Sequence, residues 1–143
     1  MAMNGGITMN TELIGQHWDG IGEKELELVE TFYKRLFERH PRFRSLFPAT
    51  MSHQAEKMVQ TLALMAKHSD DAKLLHPHLE RIGGRHQHYG LAFEDFEDFL
   101  AVLMEVMSEY NAKAWSPQCE AAWREAFRRV VLPAMAPKSA KAM

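Results

Sequence analysis

Hydrophobic residues recur along this chain at the three- and four-residue steps of an α-helix. The most regular stripe, at steps of 3, 4, 3 and 4, is formed by Phe96, Phe99, Leu103, Val106 and Tyr110. No segment shows the period-two alternation of β-branched residues that is typical of a strand. The pattern therefore predicts an all-α protein without a sheet.

Turn-forming residues separate the helical segments. A second stripe, at steps of 3, 4 and 3, consists of Leu26, Val29, Tyr33 and Leu36. Pro41 should end that helix, because proline lacks an amide hydrogen and restricts the residue before it. Ser52 is a good N-cap for the next helix, and residues 72–88 form a further helical stretch. Ser116 and Pro117 supply an N-cap and a first-position proline for the last helix.

The length of 143 residues is that of one domain. We predict a single helical domain over residues 11–136, with a disordered segment at 1–10 and a disordered tail at 137–143. Helical periodicity alone does not distinguish this domain from a four-helix bundle.

The composition of the chain argues against several classes of function. The chain carries 17 basic and 19 acidic residues, and this balance argues against a nucleic-acid partner. A single cysteine, Cys119, excludes an intrachain disulfide and a cysteine-rich zinc site. No apolar run approaches the ~18 residues that span a bilayer, and residues 1–9 lack the basic patch and long apolar stretch expected of a signal peptide. We therefore expect a cytoplasmic protein with no membrane partner.

Four short runs carry a family resemblance. In chain order they are Phe32-Tyr33-x-x-Leu36-Phe37-x-x-x-Pro41, Leu46-Phe47-Pro48, Gln54-x-x-x-Met58 and Ile82-Gly83-Gly84-Arg85-His86-Gln87-His88-Tyr89-Gly90-Leu91. Their order and spacing resemble the single-domain bacterial globins, which are related to the globin domain of flavohaemoglobins. The resemblance covers about residues 12–135. It implies a globin fold, with six to eight helices around a pocket for haem b.

The resemblance makes His86 the proximal ligand of the haem iron, because in the family this histidine follows a basic residue and precedes a glycine by four positions. Arg85 and Gly90 occupy those positions here. His88 is a competitor, but it lies about 200° round the helix from His86, so both cannot face the iron. Leu91 would pack against the porphyrin edge.

The resemblance also assigns the remaining haem contacts. Phe47 matches the phenylalanine that wedges against the haem, and Met58 would cover the adjacent iron face. Lys57 is a candidate partner for a propionate. Phe96 and Phe99 complete the predicted cofactor-binding set.

Tyr33 and Gln54 match the distal, ligand-binding side chains of the family. A tyrosine hydroxyl and a glutamine amide can both donate hydrogen bonds to dioxygen that carries partial negative charge. His53 offers an alternative, because a shift of one residue in the helix start would present it to the iron. We favour Gln54, since Gln54 and Met58 share one helical face at a spacing of four residues.

Two positions depart from the family pattern. Flavohaemoglobin-type globins place a tyrosine ten residues after the proximal histidine, and a glutamate late in the last helix, to polarise the imidazole. Phe96 stands at the first position, and no glutamate follows Glu125 in the late part of the last helix. A peroxidase-like push of electron density should therefore be weaker.

Four functions compete. The first is a globin that binds dioxygen for storage, transport or scavenging, with no catalytic residue. The second is a nitric oxide dioxygenase that depends on a separate reductase, because the chain carries no dinucleotide-binding fingerprint. The third is a bis-histidine redox or ligand sensor using His53, and the fourth is a haem-free helical protein. The sequence leaves the oligomeric state open between monomer and homodimer.

Overall fold

The structure, a computed structural model, describes residues 2–68, 71, 73–75, 77 and 93–131. Its helices of ten residues or more are α1 (Ala2–Ile21), α2 (Glu25–Arg39), α3 (Ser52–His68), α4 (Phe93–Glu109) and α5 (Pro117–Ala126). Short 3₁₀ turns lie at Gly22–Lys24, Pro41–Leu46 and Ala112–Ala114, and a π-helical turn, Phe127–Val131, follows α5. Within these ranges no strand occurs, and the all-α prediction is confirmed.

The helix boundaries lie within two residues of the positions that the sequence predicts. Helix α2 ends at Arg39, two residues before Pro41. Helix α3 includes Ser52 as its first residue, one position earlier than an N-cap at Ser52 would give, because the Ala55 amide donates to the Met51 carbonyl oxygen at 2.8 Å. At the start of α5 the Ser116 hydroxyl accepts a hydrogen bond from the Cys119 amide at 3.0 Å, as an N-cap should.

The first helix begins earlier than the sequence pattern suggests. The backbone of residues 2–10 is helical, where the sequence predicts a disordered segment. A helix that is already anchored gains one hydrogen bond for each residue added, so it can extend beyond its packed part without a strong apolar pattern. The boundaries of the domain remain a prediction.

The core lies where α2 packs against α3 and α4, and where α1 packs against α3 and α5. The inner face of α2 consists of Leu28, Val29, Phe32, Tyr33 and Leu36, all buried. Leu26, which periodicity placed on this face, is 41% exposed, so that part of the prediction is wrong. It lies in the first turn of α2, and periodicity gives the direction of a side chain but not where along the axis the neighbouring helices begin.

A buried histidine joins α1 to the end of α4. His17 is fully buried, and its Nε2–H is shared between the carbonyl oxygens of Met107 and Tyr110, each at 2.9 Å. Burial lowers the pKa of His17. Asn111, which follows α4 in a left-handed conformation with φ of 55°, donates from its side chain to the His17 carbonyl at 3.0 Å.

We expect Gly20→Ala to lower the free energy of unfolding by about 1 kcal/mol. A methyl group at Gly20 would lie 2.7 Å from Cγ of Asn111 and would displace the side chain that bonds to His17. Gly15→Ala is the matched control on the same helix, because its methyl group would lie at an ordinary 3.7 Å from the Ala66 carbonyl oxygen. That variant should gain about 0.5–1 kcal/mol from helix propensity alone. Urea unfolding measures both, and equal gains would show that Asn111 does not approach Gly20.

Exposed ion pairs link α2 and the turn after it to α4. Arg35 and Arg39 pair with Glu105, and Arg35 also pairs with Glu109 at 2.7 Å. Arg42 pairs with two α4 carboxylates, Asp95 at 2.8 Å and Asp98 at 2.7 Å. Exposed pairs of this kind add little stability one by one. No helix in the described ranges is long and apolar enough to cross a membrane.

Candidate functional site

Tyr33 lies at the centre of an aromatic cluster on the inner face of α2. Its ring stacks on Phe37 with centroids 5.9 Å apart, and Phe47 approaches both rings at 5.5 Å. The side chain is only 4% exposed, and burial raises the pKa of Tyr33 to about 12. The phenol is therefore protonated at neutral pH and keeps a hydrogen to donate.

Gln54 meets Tyr33 from the first turn of α3. Its Nε2 donates to the Tyr33 hydroxyl oxygen at 3.4 Å, a long and therefore weak hydrogen bond. The preceding His53 is exposed. Consecutive helical residues point about 100° apart, and a start of α3 at Ser52 brings Gln54 to Tyr33 and leaves His53 outside.

Two apolar side chains border this pair. Phe47 is half-buried in the extended segment between the 3₁₀ turn and α3, and it touches Tyr33 with its edge. Met58 is buried on α3, one turn beyond Gln54. Lys57 is half-buried, and its carbonyl accepts a hydrogen bond from Thr61. Its role toward a propionate remains a prediction.

The aromatic surface continues to α4. Phe99 packs edge-on against Phe32 at 4.9 Å, and Phe32 touches Tyr33 at 5.0 Å. Phe96 stacks on Phe99 at 6.5 Å. Both α4 phenylalanines are half-buried. They lie on the same aromatic surface as the predicted distal pair.

The predicted proximal side lies outside the described residues. His86, its competitor His88, the flanking Arg85 and Gly90, and Leu91 all fall there. Their assignments remain predictions.

Sequence reasoning did not identify Arg44. Its guanidinium donates to carbonyl oxygens of the segment that follows it and lies 5.3 Å from the centre of the Phe37 ring. Bonds from a long side chain to nearby carbonyls leave no periodic signal in a sequence. The phenylalanine-rich Phe37 to Phe47 stretch was the available sign that this turn belongs to the site.

The chemistry of the described residues at this site suits a flat apolar group that carries a polar ligand on one face. Aromatic rings from α2, α4 and the turn supply the apolar surface, and the Tyr33 hydroxyl and the Gln54 amide supply two convergent donors. A few polar groups within an apolar lining are typical of a cofactor pocket. Over the described ranges, no group of three or more His, Cys, Asp or Glu side chains could hold a metal ion by itself.

Comparison with known families decides the identity. The model of the family described as Globin matches residues 30–134, which is well over half of the chain. The chain belongs to the globin family. The predicted globin fold is thereby confirmed, and membership implies that the protein binds haem.

Relatives of this globin come from plants and bacteria. An anaerobic nitrite reductase, HBII of Casuarina glauca, is 26% identical over an alignment 142 residues long, gaps included, which covers 88% of this chain and 89% of the relative. A flavohemoprotein of Vibrio cholerae is 27% identical over 103 residues, and one of Halalkalibacterium halodurans is 27% identical over 110. These cover 70% and 72% of this chain but 26% of each flavohemoprotein. The predicted resemblance to the globin domain of flavohaemoglobins is confirmed, and this globin spans about a quarter of those proteins.

Proposed function

We propose that this globin holds haem b and binds dioxygen reversibly, for storage, transport or scavenging. One observation carries the proposal: two hydrogen-bond donors, Tyr33 and Gln54, meet at 3.4 Å within a surface otherwise built from aromatic rings and Met58. Haem supplies the iron centre at which a diatomic ligand binds. His86 is the side chain that we propose as the protein's ligand to it.

Tyr33 and Gln54 divide the hydrogen bonding between them. The Tyr33 oxygen accepts from Gln54, so its own O–H is free to turn to a ligand, and donation strengthens when the oxygen also accepts. Gln54 retains a second N–H for the same ligand. Because the pKa of Tyr33 is about 12, it stays a donor throughout the physiological range.

The neighbouring side chains control access of water. Phe37 and Phe47 cover the Tyr33 ring, and Met58 lies one turn beyond Gln54. A hydrogen bond to partial charge is stronger where water is excluded. The apolar side chains around Tyr33 and Gln54 therefore support tight dioxygen binding and slow release. The exposed position of His53 supports a distal side that is open to an external ligand.

A nitric oxide dioxygenase that depends on a separate reductase is the second candidate. The similarity to flavohemoproteins over a quarter of their length favours it. Phe96, which packs on Phe99, has no hydroxyl to polarise the proximal imidazole, and this supports the carrier instead. The name of the Casuarina glauca relative, an anaerobic nitrite reductase, makes nitrite a further ligand to assay. A cytoplasmic location and a monomeric or homodimeric state complete the proposal.

The test is the optical spectrum of the purified protein with haem, first ferric, then reduced with dithionite, and then exposed to air. A five-coordinate reduced spectrum that converts to a stable oxygenated one supports the proposal. A six-coordinate low-spin reduced spectrum would place His53 on the iron and favour the sensor. Rapid loss of the oxygenated form on addition of nitric oxide, sustained over many turnovers by a reductase, would favour the enzyme.

A further inference from the structure

Arg44 ties together the backbone beside the distal cluster. From the turn Pro41–Leu46, its Nη1 lies 3.3 Å from the carbonyl oxygen of Phe47 and 3.0 Å from that of Pro48. Its Nη2 lies 2.9 Å from the carbonyl oxygen of Ala49. One guanidinium therefore bonds to three consecutive peptide groups.

These carbonyls belong to the non-helical segment between the 3₁₀ turn and α3. Backbone carbonyls outside helices need other partners, and here a single side chain provides them. The bond from the Phe47 amide to the Arg44 carbonyl oxygen at 3.2 Å links the same two residues in the opposite direction. A lysine could not replace this arrangement, because it presents a point charge rather than a planar fork of five donors.

The same guanidinium also packs on the distal cluster. It lies 5.3 Å from the centre of the Phe37 ring, within range of a cation–π interaction. Phe37 stacks on Tyr33, and Phe47 touches both rings at 5.5 Å. Arg44 thus contacts both neighbours of Tyr33, the ring of Phe37 and the backbone carbonyl of Phe47.

We propose that Arg44 is a positioning residue for the ligand side of the pocket. It fixes residues 47–49 and, through Phe37 and Phe47, sets the orientation of the Tyr33 ring and hydroxyl. It does not touch the ligand. This inference rests on the proposed function, because it assumes that Tyr33 donates to a ligand bound at the haem.

The experiment compares Arg44→Ala and Arg44→Lys with Arg42→Ala in the haem-loaded protein, and Tyr33→Phe serves as the reference for loss of the Tyr33 donor. Arg42 is a matched control from the same turn: it lies 4.6 Å from the centre of the Phe43 ring, and its hydrogen bonds run to His40, Asp95 and Asp98. Three quantities are measured: the dioxygen release rate, the stretching frequency of carbon monoxide as a probe of nearby donors, and hydrogen exchange of residues 45–51. Exchange is also followed without haem.

Both Arg44 variants should release dioxygen about fivefold faster. The Tyr33 hydroxyl would lose its alignment with the ligand, and the loss of one net hydrogen bond changes a rate by about that factor. Their carbon monoxide bands should shift toward that of Tyr33→Phe, and residues 45–51 should exchange faster. Arg42→Ala should resemble the wild type in all three. Arg44→Lys keeps the charge, so it reports even if Arg44→Ala does not fold.

Release rates and carbon monoxide bands that match those of Arg42→Ala would overturn the inference, even if exchange increases, because Arg44 would then stabilise the loop without setting Tyr33. A wild type that takes up no haem would instead refute the proposed function. In that case the exchange measured without haem would still show whether Arg44 holds the segment.

Discussion

Replacing His86 by alanine is expected to abolish stable haem incorporation. A neutral imidazole is the usual axial ligand of haem iron, and the run around His86 places a basic residue before it and Gly90 four positions after it. Removal of an outer-shell partner alone costs roughly 10- to 100-fold in metal affinity, and loss of the ligand itself should cost more. The measurement is the ratio of haem to protein after reconstitution and gel filtration.

His88→Ala is the matched control for that experiment. It removes a histidine two residues away that would point about 200° from His86 on a helix, so haem content should not change. Addition of free imidazole to His86→Ala should restore haem binding, since it supplies the missing ligand. Normal haem content in His86→Ala, or loss of haem in His88→Ala, would show that the proximal ligand was assigned wrongly.

Replacing Tyr33 by phenylalanine should give the second-largest effect, a faster release of dioxygen. The substitution preserves the ring that stacks on Phe37 and removes the hydroxyl that meets Gln54. Loss of one donor is worth about 1 kcal/mol, which corresponds to roughly fivefold in rate, and more inside a dry pocket. Stopped-flow displacement of dioxygen by carbon monoxide measures the rate.

Tyr110→Phe controls for the loss of a tyrosine hydroxyl elsewhere. The Tyr110 hydroxyl donates to Glu27 at 2.8 Å and lies 3.2 Å from the Thr31 hydroxyl. Its loss should leave the release rate as it is. An unchanged rate in Tyr33→Phe would mean that Tyr33 does not face the ligand, and an equal acceleration in both variants would indicate general loosening of the fold.

The sequence predicted the helices well where a residue restricts the backbone. Pro41 and Ser116 act through local sterics and hydrogen bonding, so their effects can be inferred without knowledge of the fold. Leu26 shows the limit, because its exposure depends on where other helices lie.

The candidate site was predictable only in part. The spacing of Gln54 and Met58 on one helical face indicated the side of α3 that meets Tyr33, and the contact between Gln54 and Tyr33 agrees with it. Arg44 and His17 could not be found this way, because each acts through carbonyl groups that every residue carries. Only the folded backbone shows which carbonyls come within reach of those side chains.

His17 makes the stability of the fold depend on proton uptake. In an unfolded chain a histidine accepts a proton near pH 6.5, whereas burial holds the pKa of His17 below that value in the folded chain. Unfolding in mild acid therefore binds an extra proton. The contribution of neutral His17 to the free energy of unfolding is complete above pH 6.5 and is lost as the pH falls toward the pKa of His17 in the folded chain. Acid thus weakens the junction of α1 and α4 while Tyr33, with its pKa near 12, keeps its hydrogen.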